Sequence, residues 1–387
     1  MQTPKKKQKK KKRILFVIQS LKIGGAERAQ VTLANLLVEK GYDVTILMWK
    51  NINDYSADVD PRVRVIYKPD NQHLGNKIPY IRYKFYDGSM WAERATPRQF
   101  YRYYVGREKY DVEIAFFHTW AVKIIAGSTN KKAVRLAWVH HDFRNLEELD
   151  DSQIEEYNRL YRKFHKVVCV SYSSLDGFKE AIGDTNNLVT IHNILPIEEI
   201  RRKAKEEPRV QIERDKFHVV QVARFAQVKG YERLIRIVCY LRYEGYHISL
   251  ALVGAGEIEL VKAAVKEYHA DSYVKVIEGN NNPYPYIRQA DLLVCASYTE
   301  GYNLTVAEAL ILDTPVLSTD CTGPNEVLDH GRFGMLVENS GNGLYLGLKY
   351  LYQEPPLVEY YKKHARERMD FFDEEKLLNR IINLFEG

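Results

Sequence analysis

The run Glu300-Gly-Tyr-Asn-Leu-Thr-Val-Ala-Glu308 decides how this chain is read. It closely follows an apolar run, Asp291-Leu-Leu-Val-Cys-Ala-Ser297, whose length and composition predict a buried strand. Leu304 to Leu312 then predicts a helix. Gly301 suits a tight strand-to-helix turn, and Asn303 is a good N-cap because its side chain can accept from an N–H two or three residues on. The free N–H groups at such a helix start, Asn303 to Thr305 with Leu304 between them, favour an anion such as phosphate. Glu300 and Glu308 bracket the turn. A carboxylate does not ligate a phosphate, so these two are expected to hold sugar hydroxyls. A nucleotide-sugar meets both requirements. A lone E-x7-E is also common by chance, as a connection carrying two solvated glutamates, so its neighbours must carry the reading.

Upstream, Phe217 to Ala223 predicts a strand running into Arg224-Phe-Ala-Gln-Val-Lys229-Gly230 and then a helix to about Tyr243. Arg224 and Lys229 on one strand-end loop can converge on a diphosphate, the arginine as a fork and the lysine as a point charge. Leu250 to Glu257 and Val274 to Glu278 are further strand signals, the latter ahead of the polar loop Gly279-Asn-Asn-Asn-Pro283. Downstream, Cys321-Thr-Gly-Pro-Asn-Glu326 and Gly331 to Val337 read as completing the sheet. Two charged helices, about 341–368 and 373–386, end the chain.

The first half repeats the alternation of strand and helix. Ile14 to Ile18 reads as a central parallel strand. It leads through Gly24-Gly25 into a helix from about Ala26 to Lys40 and a strand from Val44 to Trp49. No G-x-G-x-x-G is present, so this is not a dinucleotide fingerprint; paired glycines still allow close backbone approach to a ligand, or merely a packing turn. Asp111 to Phe117 and Ala133 to Val139 are strands ending in His118 and in His140-His141-Asp142. Open α/β sheets bind ligands at such C-terminal strand ends, so the histidines are candidates for a sugar hydroxyl, a phosphate or a proton. Lys166 to Ser171 is a further strand, followed by a short helix. The aromatic–basic runs Tyr80 to Tyr86 and Phe100 to Tyr104 suit amphipathic surface helices, a lipid interface or nucleic acid. Composition shifts near residue 195, where the charged segment 198–216 begins. Two doubly wound α/β domains are expected.

Several of these runs together resemble the retaining glycosyltransferases of family 4: G-G-A-E-R at Gly24 to Arg28, His140, A-R-F-A-Q-V-K-G at Ala223 to Gly230, and the E-x7-E element with its P-V strand, in that order. Ala223 and Asn303 stand where the family usually has Gly, and Gly or Pro. The resemblance implies a GT-B architecture, two Rossmann-like domains facing a central cleft. The expected parts are a basic tail (1–13), an acceptor-side domain (14–195), a nucleotide-sugar domain (196–370) and a last helix crossing back to the first domain (371–387). It implies Glu300 and His140 beside the donor sugar, with the doublet leaving His141 open for the latter role. Gly25, Arg224, Lys229, Asn303, Leu304 and Thr305 would face the donor, and Glu308 the ribose. The implied reaction moves a sugar from a nucleotide-sugar, UDP-linked by expectation, to a glycan or lipid-linked acceptor in bacterial surface-glycan synthesis. No cofactor and no metal are expected. A GT-B epimerase and a catalytically silent binding paralogue are the alternatives; an intact Arg224, Lys229, Glu300 and Glu308 set argues against the latter.

The totals agree with a globular enzyme: 387 residues, 45% hydrophobic and 28% charged. Cys169, Cys239, Cys295 and Cys321 lack metal-ligand spacing and read as reduced thiols. No run is long and apolar enough to span a bilayer, and no signal peptide is apparent. The net charge is +6, yet residues 1–13 alone carry seven Lys and one Arg, so the remainder sums to −2. Such a segment reads as a disordered polycation suited to an anionic membrane. Nucleic acid is not expected, because the body carries no basic stripe. The expected location is cytoplasmic, peripheral on the inner face of the membrane.

Overall fold

Leu15, Phe16 and Val17 are all fully buried, as a strand covered on both faces requires. In the computed structural model, which describes residues 11–68, 95–118, 120–145, 150–212, 215–279 and 282–386, this run is the middle of strand β1 (Arg13–Ile18). Six parallel strands join it: β2 (Asp43–Met48), β3 (Arg64–Tyr67), β4 (Val112–Ala115), β5 (Val134–Val139), β6 (Lys166–Cys169) and β7 (Leu188–Thr190). Their order is β3-β2-β1-β4-β5-β6-β7. A second parallel sheet contains β8 (Phe217–Val222), β9 (Ile248–Gly254), β10 (Val274–Glu278), β11 (Leu292–Cys295), β12 (Val316–Thr319) and β13 (Met335–Val337), in the order β10-β9-β8-β11-β12-β13. Both are Rossmann-like, doubly wound sheets. Each reverses its winding direction once, between β1 and β4 and between β8 and β11. Crevices open there at the carboxyl ends of the strands, where such sheets bind ligands.

The end of the chain returns to the first sheet. Helix Glu374–Asn383 buries Leu377, Leu378 and Ile381, and Arg380 Nη2 donates to Thr190 O at 2.7 Å. Phe385 packs edge-on to Tyr42 at 5.7 Å. Lys12 Nζ donates to Phe385 O and to Glu386 Oε1 at 3.2 and 2.6 Å.

Four expectations change. Residues 322–327 form a helix, Thr322–Val327, and add no strand. The expected helix 341–368 is broken: Gly341–Gln353 ends before Pro355-Pro356, which lack the N–H groups to continue it and instead start helix Pro355–His364. Arg13 belongs to β1 and Lys12 is tied to the C-terminal end, so these two are not part of a free tail; residues 1–10 lie outside the described residues. Finally, helix Pro97–Tyr104, started by a Thr96–Gln99 capping box, turns Phe100, Tyr101 and Tyr104 inward. Phe100 meets Trp120 edge-on at 5.6 Å, and Tyr101 OH donates to buried Glu113 at 2.6 Å. These aromatics serve the core and are not available for insertion into lipid. The run Tyr80 to Tyr86, Asn280 and Asn281 lie outside the described residues.

Candidate active site

The loop after β11 is held from both domains. Asn303 sits at φ 66°, in the left-handed region that Asn tolerates. Its side chain accepts from Val306 N at 3.1 Å, the cap that starts helix Leu304–Ile311. Gly301 is glycine for a different reason from the tight turn expected. Its φ is not positive; instead, a Cβ there would lie 2.2 Å from the carbonyl oxygen of His140 in the other domain. The Gly301 carbonyl also accepts from Ser171 Oγ at 2.8 Å, and the Glu300 carbonyl accepts from Thr322 Oγ1 at 2.8 Å. Nearby, Glu326 takes the Tyr172 N–H at 2.8 Å, and its Oε1 lies 2.5 Å from His192 Nε2. The two domains therefore meet along the edge of this loop.

Glu300 and Lys229, read from separate motifs, are direct partners. Lys229 Nζ lies 2.7 Å from Glu300 Oε1, which also accepts from Ser297 Oγ at 2.6 Å. Lys229 is placed by its own carbonyl, which accepts from Gln221 Nε2 at 2.7 Å, and by Gly230 at φ 66°, where a Cβ would strike Ala296 O. Arg224 lines the same cleft.

The opposite wall comes from the first domain. Gly24 caps helix Gly25–Glu39, and its carbonyl accepts from Tyr55 OH at 3.2 Å. Gly25 faces Leu304, 3.5 Å from where a Cβ would be. His140 and His141 follow β5 and line the cleft; His118 rests against His141, with ring centroids 4.3 Å apart. Burial drives the imidazoles down, His118 and His140 to about 3 and His141 to about 4, with Lys229 and Arg224 adding repulsion at His141. All three are neutral at physiological pH. The Nε2 atoms of His140 and His141 are buried and unpartnered among the described residues, so each can serve a ligand. The His140–His141 ambiguity in the sequence thus has a geometric counterpart: both face the cleft.

The cleft between the walls has a volume of about 510 Å³. It gathers Gly25, His140, Arg224, Lys229, Glu300, Asn303, Leu304 and Thr305, and with them Glu27, whose carboxyl burial pushes upward against the pull of the Arg224 and Lys22 cations. Glu308 lies one turn beyond Leu304 on the same helix, 1% exposed. Its Oε1 accepts from Arg28 Nη1 at 2.7 Å and Tyr284 OH at 3.3 Å. Sequence reading missed Arg28, Tyr284, Ser297 and Glu27 as site neighbours. Arg28 and Glu27 lay inside the Gly24–Arg28 run and Ser297 ended the apolar run from Asp291, yet nothing local links residue 28 to residue 308. A larger cavity, about 700 Å³, lies beside Ile197–Lys203 and the final helix. Arg28 and Tyr284, the partners of Glu308, border it together with Arg201, Lys203, Glu39, Glu199 and Glu374, whereas Arg224, Lys229 and Glu300 line the smaller cleft. Among the described residues no cluster of His, Cys, Asp or Glu is placed to hold a metal ion, and no helix is long and apolar enough to cross a membrane.

Two facing Rossmann-like domains, with a cleft lined by Arg, Lys, Glu and neutral His, define a glycosyltransferase of the GT-B type. The family model "Glycosyltransferase Family 4" matches residues 23–199, and "Glycosyl transferases group 1" matches residues 202–368. A Campylobacter jejuni protein named as an N-acetylgalactosamine-N,N'-diacetylbacillosaminyl-diphospho-undecaprenol 4-alpha-N-acetylgalactosaminyltransferase is 24% identical over 382 residues, spanning 96% of this chain and 98% of its own. An uncharacterized glycosyltransferase of Haemophilus influenzae is 23% identical, over 97% and 99%. Among solved structures, sucrose-phosphate synthase from Thermosynechococcus elongatus superposes with a TM-score of 0.77 at 18% identity, covering 97% and 98%. Anabaena HepE in complex with UDP and glucose gives 0.74 at 17% identity, covering 97% and 99%. The chain belongs to glycosyltransferase family 4.

Proposed function

We propose that this glycosyltransferase moves a sugar from a UDP-linked donor to a lipid-linked saccharide, with retention of anomeric configuration, in bacterial surface-glycan synthesis. The observation that carries the reading is the convergence of Arg224, the Lys229–Glu300 pair and the start of helix Leu304–Ile311 on one cleft, opposite Gly25 and His140. The near full-length relative named for a diphospho-undecaprenol acceptor supports the acceptor class.

In this reading the arriving diphosphate gives Lys229 a second anionic partner beside Glu300. Arg224, Lys229 and the N–H groups at Leu304 and Thr305 then stabilise the charge that develops on the leaving diphosphate, in place before the reaction begins. These protein cations make a metal unnecessary. Glu300, its Oε1 already fixed by Ser297 and Lys229, sits by the donor sugar. His140, neutral, offers its free Nε2 to a sugar hydroxyl. Glu308 takes the ribose. The lysines among residues 1–11 hold the enzyme at the inner face of an anionic membrane, each contributing about 1 kcal/mol near the surface.

Incubation with a panel of UDP- and GDP-sugars, with and without undecaprenyl-diphosphate-linked saccharides in anionic liposomes, tests this. Transfer from a UDP-sugar to the lipid is the expected result. Transfer to soluble glycan alone would discard the lipid acceptor. Epimerisation, or binding without turnover, would discard the transfer reaction itself. Removing residues 1–11 should abolish liposome flotation at low salt; equal flotation of both forms would remove that segment from the account.

A further inference from the structure

The two oxygens of the Glu308 carboxylate are treated differently. Oε1 accepts from Arg28 and Tyr284. Oε2 is buried and has no partner among the described residues. A buried carboxylate oxygen without a donor is costly. Glu308 lies four residues beyond Leu304, on the same helix face; Leu304 borders the cleft, and Glu308 is buried behind it. The cationic donor to Oε1 comes from the other domain: Arg28 is in the first turn of helix Gly25–Glu39, and its guanidinium carbon lies 5.6 Å from the Tyr284 ring centroid. An arginine serving only to tie two domains together would best pair with both oxygens as a fork. This one gives a single nitrogen to Oε1 and leaves Oε2 buried with no partner among the described residues.

We infer that Arg28 is a positioning residue for the nucleotide: from across the domain boundary it holds Oε1 of Glu308 so that Oε2 is turned to receive ribose hydroxyls. Burial pushes the Glu308 carboxyl upward, and the Arg28 cation opposes this. Without Arg28 the group would shift towards its protonated form, a poorer acceptor. The inference rests on the reading of Glu308 as the ribose carboxylate and goes beyond it: nucleotide affinity becomes dependent on a residue of the acceptor-side domain, and so on how the two domains sit together. Arg28 is then the end of the Gly24–Arg28 run with a task on the nucleotide, while its glycines shape the wall.

The test uses the full chain. Affinities for UDP and GDP, and for their 2′,3′-dideoxy forms, are measured by calorimetry for the wild type, Arg28→Ala, Arg28→Lys, Glu308→Gln and the Arg28→Ala/Glu308→Gln double variant. Donor KM and kcat are measured alongside. Arg28→Ala should weaken binding of the preferred diphosphate about tenfold and raise donor KM in step, with kcat at saturating donor little changed. It should also erase the preference for ribose over dideoxyribose. Arg28→Lys should recover part of that preference, and the double variant should be no worse than Glu308→Gln. If Glu308→Gln leaves diphosphate affinity and the ribose preference intact, the ribose assignment itself fails. If Glu308→Gln removes the preference and Arg28→Ala does not, that assignment stands and the role of Arg28 is overturned. Equal weakening of ribose and dideoxyribose forms by Arg28→Ala would also overturn it, as a general loss of domain packing.

Discussion

The two walls of the cleft use opposite chemistry. The second domain supplies formal charge: Arg224, Lys229 and Glu300 gather at the carboxyl ends of β8 and β11, beside a helix N-terminus. The first domain supplies neutral groups and close backbone: His140 and His141 held uncharged by burial, and the Gly24-Gly25 turn. Charge at a ligand site is most effective where it is already oriented, as Lys229 is by Glu300, itself fixed by Ser297. Adding cationic imidazoles opposite Arg224 and Lys229 would set like charges facing one another across a narrow gap. The neutrality of the first wall is therefore partly a product of the second, since the same two cations help to depress His141.

That contrast can be tested at decreasing scale. On the charged wall, Glu300→Gln should lower kcat by at least about 100-fold while changing nucleoside-diphosphate affinity little, as expected for a group whose contact strengthens in the transition state. Steady-state kinetics with calorimetry checks this; a parallel loss of turnover and affinity would move Glu300 from the sugar to general donor binding. Arg224→Ala or Lys229→Ala should weaken diphosphate binding by roughly 1.5–3 kcal/mol. If both variants kept wild-type affinity, the diphosphate would lie elsewhere.

Where the walls touch, Gly301→Ala places a methyl group against the His140 carbonyl. The backbone must move, at a cost of about 1–3 kcal/mol. A lowered unfolding midpoint with loss of activity is the expected pair of results; full stability and activity would show that the domains do not stay in this contact during turnover.

The neutral wall shows its effect only in acid. Histidines whose folded pKa values are pushed from 6.5 to about 3–4 take up protons on unfolding. They leave stability untouched above pH 6.5 and lower it as the pH falls from there towards 4. A His118→Asn/His140→Gln/His141→Gln variant should lose less stability than the wild type over that window, by approaching one proton per histidine in the slope. Identical pH slopes in denaturant titrations would mean that these imidazoles titrate in the folded protein as they do in the unfolded chain.

Local pattern carried much of the fold. Val219, Leu293 and their neighbours form short continuous apolar runs because parallel strands are buried on both faces, and Asn303 announced a helix start because its amide caps Val306. Alternation of such strands with helices was enough for two doubly wound domains, and motif spacing together with the family resemblance nominated Arg224, Lys229, Glu300 and Glu308. Some errors lay in the local reading, and others arose where neighbours far along the chain overrode local appearance. Residues 322–327 carry Gly-Pro-Asn, which disfavours a strand, and fold as a helix beside the loop they support, while Phe100 to Tyr104 look like a membrane face but are drawn into a core with Trp49 and Trp120. Partnership was the part that only the tertiary structure decided. That Lys229 meets Glu300 follows from β8 and β11 lying side by side in one sheet; that Gly301 must yield space to His140 and that Arg28 reaches Glu308 are consequences of two sheets brought face to face. Sequence records which groups a strand end carries; distance between strand ends of different domains is set by packing, and contact energies fall away over a few ångströms.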